Sequence, residues 1–436
     1  MSVVEQLRSL VKVRRKWRYN TANERGTTDF LLWVICQLTL FAALFGPPAQ
    51  IALAQGGRET RQQNNSSSAT ETRPSLAEVD RAITLSAGYL KRACGPDGKF
   101  VYMVDIGSGR ESSAYDIVRH AGAMYGLALL NRSRPDADAV KTVVRGAKFM
   151  RENFIGPGPR ANQVAVWARP LNHRSPAKGN YAELGGSGLG LVALTATRKV
   201  EPHAVRLKDI QALGRFLLFL QKEDGSFVHK YDQELGLVAD REVLYYPGEA
   251  ALGLIGLYEA DHSNQWLVAA AKGLAYLARS RVGKATVPAD HWALIATSGL
   301  MPYLNQVSSI VSRDELMQHV AQVCNSIVHE QFRGGSAAGL DGAFDPKGRT
   351  APAATRLEGL LAALEFLPDG ELHQRVEAAI ARGIGFLLRA QVRTGRYAGG
   401  LSGAVSTTAL DSSDVRVDYV QHAMCAWLRY EKAYRY

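Results

Sequence analysis

Cysteine is scarce in this chain, 4 among 436 residues, and the four stand far apart. Cys36 falls in a basic and apolar N-terminal stretch, which leaves Cys94, Cys324 and Cys425. Three scattered thiols make neither a metal-ligand cluster nor a disulfide framework. One bridge stays open, but buried apolar thiols are the expectation. Nucleotide-binding and esterase signatures are missing too: no G-x-G-x-x-G follows a strand pattern, and there is no P-loop or G-x-S-x-G. Gly185, Gly186, Gly188 and Gly190 sit inside a helical pattern, where close packing explains them. No Lys/Arg run with interleaved aromatics occurs after the N-terminal stretch, so nucleic acid is excluded as a partner despite a formal net charge of +11.

Long apolar runs are equally rare. The one that stands out, FLLWVICQLTLFAALF from Phe30 to Phe45, follows seven basic residues from Arg8 to Arg25 and precedes Pro47-Pro48 and Ala52-Leu53-Ala54. A basic head, a short apolar core and an A-x-A-like end read as an export signal over residues 1–54. The run falls short of the roughly 20 residues a comfortable span needs, so cleavage after Ala54 leads and an uncleaved anchor, basic end inside, follows. Either way the body is expected outside the cytoplasm, in the periplasm or cell envelope, with membrane association through this segment as one outcome. Residues 55–74 are polar and without period, a disordered spacer. Residues 75–436 contain no linker and read as one domain, mildly basic once the leader is set aside. Such a charge suits an anionic glycan or the envelope surface.

What the chain does have is a sixfold recurrence. An amphipathic, charged helix is followed by a loop and then by an apolar helix rich in Gly and Ala. The first members are expected at about 75–93, 136–154, 203–222, 263–281, 312–331 and 370–391, with Ser75, Asp136 and Ser312 placed to cap them. The second members begin near Tyr115, Tyr181, Pro247, Pro288, Ala353 and Asp418. They lack a polar stripe, so they are buried. Twelve helices alternating outer and inner give an all-α fold, an (α/α)6 toroid of six hairpins. Links from inner to outer helices are short, whereas those from outer to inner are long and carry short β-turn or hairpin elements. Long loops tend to be functional, and these gather on one face, over the N-termini of the inner helices. That face is the mouth. A smaller repeat follows the outer helices: Asp97-Gly98-Lys99-Phe100, Asp224-Gly225-Ser226-Phe227, Asp341-Gly342-Ala343-Phe344 and the looser Gly395-Arg396-Tyr397. Asp-Gly marks a tight turn, and a structural role is the expectation.

The alternating hairpins, together with Leu220-Gln221-Lys222-Glu223-Asp224-Gly225-Ser226-Phe227, resemble the broad toroid superfamily of six-hairpin glycosidases, polysaccharide lyases, glucuronyl epimerase-like domains and terpenoid cyclases. The resemblance covers residues 75–436 and is architectural, so it implies a scaffold and not a reaction. Two branches fail on their own motifs. The D-x-D-D of a terpenoid cyclase has only Asp411-Ser412-Ser413-Asp414 as a counterpart, in a Ser-rich loop. Zinc needs Cys and His together, and no cysteine lies in a mouth segment.

The first turns of the inner helices supply the candidate chemistry: Tyr115, Asp116, Arg119 and His120; Tyr181 and Glu183; Tyr245, Tyr246 and Glu249; Asp290, His291 and Trp292; Arg356 and Glu358; Asp418, Tyr419 and His422. Ionisable groups on otherwise apolar segments are costly unless paired or used. Some serve as helix caps in the plainer reading. In a sixfold ring Asp116 opposes Asp290 and Glu249 opposes Asp418, which suits hydrolysis by two carboxyl groups; toroidal glycosidases of this resemblance mostly invert. Asp116, Glu249, Asp290 and Asp418 are therefore the acid and base candidates. Arg119, His120, Glu183, Tyr245, Tyr246, His291, Trp292, Arg356, Tyr419 and His422 are the expected substrate contacts. The same tyrosines, histidines and arginines leave uronate epimerisation or β-elimination open, and a non-catalytic toroid binding a glycan or a partner is the rival class. The expected partner is a polysaccharide or oligosaccharide, with no cofactor and no metal.

Overall fold

The computed structural model describes residues 73–168, 181–239, 242–333, 339–405 and 413–435. The expected leader over 1–54 and nearly all of the spacer lie outside these residues. Among the described residues no helix is long and apolar enough to cross a membrane.

Among the described residues twelve α-helices alternate as the recurrence predicts. The outer ones are α1 (Leu76–Ala93), α3 (Ala137–Asn153), α5 (Leu207–Leu220), α7 (Asn264–Arg281), α9 (Arg313–Glu330) and α11 (Glu371–Ala390). The inner ones are α2 (Ile117–Ser133), α4 (Leu184–Val200), α6 (Tyr246–Asp261), α8 (His291–Leu300), α10 (Thr350–Leu364) and α12 (Val417–Tyr434). Ser75 and Ser312 form capping boxes with Glu78 and Glu315, and Asp136 accepts from the N–H groups of Asp138 and Ala139. Each ties down backbone donors that a helix start leaves free.

The inner helices pack in the cyclic order α2, α4, α6, α8, α10, α12 and back to α2, which closes the ring. Glycine sets how near they come. A Cβ on Gly188 of α4 would sit 2.8 Å from the backbone nitrogen of Ala250 in α6, and one on Gly248 of α6 would sit 2.6 Å from the Trp292 carbonyl carbon in α8. The buried core runs continuously round the ring, from Val79 to Tyr430.

The Asp-Gly repeat is a buttress. Gly98, Gly225 and Gly342 have φ of +90°, +90° and +85°, and a Cβ on each would lie 2.1–2.3 Å from the carbonyl oxygen of Arg145, Lys272 or Arg382 on the next outer helix. Only glycine combines that conformation with that approach. The aromatic that follows, Phe100, Phe227 or Phe344, is buried. The fourth copy is displaced from Gly395: it is Gly399, at φ +91°, that presses on the Leu85 carbonyl. A glutamine repeat accompanies the turns, with the Nε2 groups of Gln221, Gln331 and Gln391 donating to the carbonyls of Ala269, Ala379 and Ala82 at 2.8–2.9 Å.

The loops at the mouth hold more strand than isolated turns. β1 (Met103–Asp105) pairs antiparallel with β7 (Asp414–Arg416). β2 (Ile155–Pro157), β3 (Val164–Ala168), β4 (Tyr181–Glu183), β5 (Lys230–Asp232) and β6 (Gly236–Val238) form an antiparallel sheet in sequence order. β4 leads directly into α4 and β7 into α12, so both sheets fix where inner helices begin. The three described cysteines are free and buried.

Candidate active site

The candidate residues lie at the N-terminal ends of the inner helices, and helix rotation sorts them into wall and centre. Successive residues on a helix point about 100° apart, so neighbours in sequence meet different surroundings. Asp290 and His291 show this most plainly. The Asp290 carboxylate is fully buried, caps the Ala293 N–H and receives Arg281 of α7 at 2.7 Å. Arg281 also lies 2.8 Å from His319 Nε2 of α9. Burial raises the Asp290 carboxyl above its usual range, with Arg281 pulling the other way. Asp290 thus belongs to the joint between inner and outer helices, and its expected acid–base role is corrected. His291, one residue on, stands in the centre.

His120 is corrected on the same ground. Its Nδ1 meets the Tyr115 hydroxyl at 2.6 Å, its Nε2 meets the Gly146 carbonyl of α3 at 3.0 Å, and Phe100 and Phe149 enclose the ring. Burial depresses its pKa to about 4. Both nitrogens are used in the wall, which leaves nothing for a substrate.

At the centre two imidazoles meet edge to face. The rings of His291 and His422 have centroids 5.5 Å apart and cross at 78°. His422 Nδ1 lies 2.8 Å from Oε2 of Glu358, a carboxylate on α10 with no exposed surface. With Nδ1–H donating to that oxygen, Nε2 carries the lone pair. Neither nitrogen of His291 has a hydrogen-bond partner. Its pKa lies well below the usual histidine value, through burial first and then through the nearby His422 and Arg356. It is therefore neutral, with one ring nitrogen able to donate and the other to accept. Tyr245 meets the His291 ring edge-on at 4.6 Å, and Trp292 lies under both histidines at 5.2 and 6.1 Å. Trp292 is buried against both imidazoles, where it serves as their floor; the sugar-stacking face expected of it is not presented.

Carboxyl groups occupy one side of the mouth. Glu249 is 4% exposed, and its Oε2 has no partner. Burial, followed by repulsion from Asp290, Asp116 and Glu183, holds its pKa well above the usual carboxyl value, which favours the protonated form. Glu183 accepts from the Tyr246 hydroxyl at 3.1 Å. Opposite in character is Asp418. Burial would raise it, but Arg416, bonded at 2.6 and 2.9 Å, and Arg119 at 3.2 Å outweigh burial and keep it below the usual range. Asp116 caps α2 through the Val118 N–H and is ion-paired with Arg119. Arg416 also stacks over Tyr419 at 4.3 Å. Arg356 is bound to Glu330 at 2.6 Å, which lies outside the centre and reduces its claim as a substrate contact.

Sequence reasoning placed Glu358 at the mouth beside Arg356 but gave it no role, and it missed Arg416 and Arg281. Arg416 and Arg281 lie in a strand and an outer helix, where no positional signal set them apart. Among the described residues no group of His, Cys, Asp and Glu is arranged to hold a metal ion.

No protein-family model matches the chain, and no curated protein matches it by sequence. Solved structures do match by shape. The cellobiose 2-epimerase of Bacillus thermoamylovorans superposes with a TM-score of 0.62 at 12% identity, over 82% of this chain and 99% of that one. A D-mannose isomerase gives 0.60 at 10% identity, over 82% and 99%. An α-mannanase of glycoside hydrolase family 76 from Bacteroides thetaiotaomicron gives 0.57 at 10%, over 82% and 97%. The likeness at these identities is one of fold, and by fold the chain is an (α/α)6 toroid of the six-hairpin kind.

Proposed function

We propose that this protein is a carbohydrate-active enzyme that moves a proton at a sugar carbon next to a carbonyl, an epimerase or aldose–ketose isomerase for a neutral sugar or short oligosaccharide. The observation that carries this reading is the pair of imidazoles in edge-to-face contact, His422 anchored by Glu358 and His291 with both nitrogens unengaged. In the open-chain form of an aldose the C2 hydrogen is acidified by the C1 carbonyl. One imidazole takes that hydrogen as a proton, and the electron pair moves to the carbonyl oxygen to give an enediolate. Return of a proton to C2 on the opposite face gives the epimer; return to C1, with the C2 hydroxyl proton passing to the C1 oxygen, gives the ketose. No oxidant or reductant enters. A neutral imidazole can accept a proton at one ring nitrogen and donate from the other, and burial favours the neutral form of His291. The protonated Glu249 can donate a hydrogen bond to substrate oxygen.

Charge balance at the mouth supports a neutral substrate over a uronate. Arg119 and Arg416 are matched by Asp116 and Asp418, and Arg356 by Glu330, so these guanidinium forks are already occupied by carboxylates. This shifts weight from the anionic glycan that composition favoured. Proteins of the same shape are named for neutral sugars: cellobiose, mannose and mannan.

Hydrolysis remains a second reading, supported by one contrast: Glu249 is held neutral while Asp418 is held ionised. Groups pushed apart in this way mark an acid and a base. Against it, Asp418 is enclosed by two arginines. The chain also has no consecutive Asp-Asp, whereas the inactive variant of a similarly shaped α-1,6-mannanase from Salegentibacter carries asparagine at two consecutive aspartates. The leader-like N-terminal stretch supports a site of action outside the cytoplasm, which protease accessibility on intact cells would check.

The deciding experiment incubates the purified protein with mannose, cellobiose and α-1,6-mannan in D2O, followed by NMR. Deuterium at C2 with a second sugar appearing, lost in both His291→Gln and His422→Gln, is the expected result. Shortened chains without deuterium, unaffected by those variants and abolished by Glu249→Gln, would replace the proposal with hydrolysis. No turnover of any sugar would favour the non-catalytic toroid.

A further inference from the structure

The mouth is not the only opening of the ring. At the opposite end, where the inner helices terminate, a cavity of about 420 Å³ is lined by the C-terminal parts of five of them, from Arg132 on α2 to Lys432 on α12, and by Glu365 just beyond the end of α10. That volume falls within the range of small-molecule sites. Its walls are apolar, built from residues such as Leu252, Ile255, Ile295 and Leu428.

The rim is charged and unbalanced. Four cations (Arg132, Lys199, Arg429 and Lys432) face two carboxylates, Glu259 and Glu365. Lys199 pairs with Glu259, while Arg429 and Lys432 share one oxygen of Glu365 at 3.2 and 3.1 Å. Arg132 has no partner among the described residues, and the Nε of Arg429 is buried without one. Cations in a last turn complement helix dipoles, which accounts for their presence. That role does not explain why the cavity between the helices is apolar.

We propose that this basin binds a single-chain anionic amphiphile, an alkyl carboxylate or alkyl phosphate, with the chain between the inner helices and the head at Arg132, Arg429 and Lys432. The site is separate from the mouth and does not depend on the reaction assigned there. A largely apolar slot with excess positive charge at its rim disfavours a cationic amphiphile and suits an alkyl chain better than a free sugar.

The test is calorimetric titration of the full chain with octanoate, nonanoate and decanoate, below their aggregation concentrations. Decyl phosphate, inorganic phosphate and decyltrimethylammonium complete the panel. One saturable site is expected, with Kd falling about fourfold for each added methylene. Decyl phosphate should bind like decanoate, and inorganic phosphate and the cationic analogue should bind at least tenfold more weakly. Ala196→Phe, at a partly exposed lining position, should abolish binding. The surface pair Arg132→Glu and Lys432→Glu should weaken it at least tenfold without needing any core rearrangement. Absence of saturable binding, a chain-length-independent Kd, equal binding of the cation, or binding unaffected by the charge reversals overturns the proposal.

Discussion

Replacing Glu358 with glutamine isolates what anchors the central histidine. The side chain keeps its shape, and the amide oxygen can still accept from His422 Nδ1–H, so the ring should stay where it is. What disappears is a full negative charge whose oxygen lies 2.8 Å from that nitrogen. When His422 accepts a proton the imidazolium and the carboxylate attract each other; for charges roughly 4 Å apart at an effective dielectric near 20 this is about 4 kcal/mol. If the transition state realised all of it, kcat would fall by about three powers of ten. A transition state with the proton half transferred realises part, so the expected loss is ten- to a thousandfold, with KM within about threefold. The assay is C2 deuterium exchange under saturating sugar, with the thermal melt recorded alongside because Glu358 is fully buried. A folded Glu358→Gln protein whose kcat stays within threefold of the parent would refute the role given to this carboxylate.

Three further outcomes test the wall and the packing. Asp290→Asn leaves Arg281 buried beside a neutral amide and should cost about 3–5 kcal/mol of stability, read by urea unfolding, whereas a catalytic Asp290 would lose activity with stability intact. For His120, the folded pKa of about 4 lies below the unfolded value near 6.5. The folded state therefore takes up its proton later than the unfolded one, and stability is lost as pH falls from 6.5 toward 4. Denaturation at pH 7 and pH 4 should show the parent losing about 3 kcal/mol more than His120→Gln across that window; equal losses would refute the assignment. Gly185→Ala would put a Cβ 2.1 Å from the Tyr246 ring and 2.8 Å from Glu249 Oε2. It should break the Tyr246–Glu183 bond and lower kcat/KM at least tenfold, measured by the same exchange assay, with a modest drop in melting temperature.

The ring was legible because its signals are local and repeated. Amphipathic period, capping boxes at Ser75 and Ser312, and Gly-rich inner segments each depend on a few consecutive residues, and six copies reinforce one another. The mouth was legible too, since loop length places it. Roles within the mouth were not, because they depend on rotation about each helix axis. Asp290 and His291 are adjacent, yet one meets an arginine of the outer wall and the other meets His422 of α12. The expectation of opposed carboxylates treated each first turn as a unit and so lost that distinction. Partners from elsewhere in the chain, Arg281 for Asp290 and Glu358 for His422, complete each group's chemistry, and no spacing rule links them.

Ring closure has a temporal side. α12 packs on α1, α2 and α10, and it is the last helix of the ring to emerge during synthesis. The Tyr430 hydroxyl fastens it to the Pro74 carbonyl, 356 positions earlier. His422 travels with that helix, so the histidine pair exists only where α12 has docked between its two neighbours: closing the ring and completing the proposed site are one and the same contact.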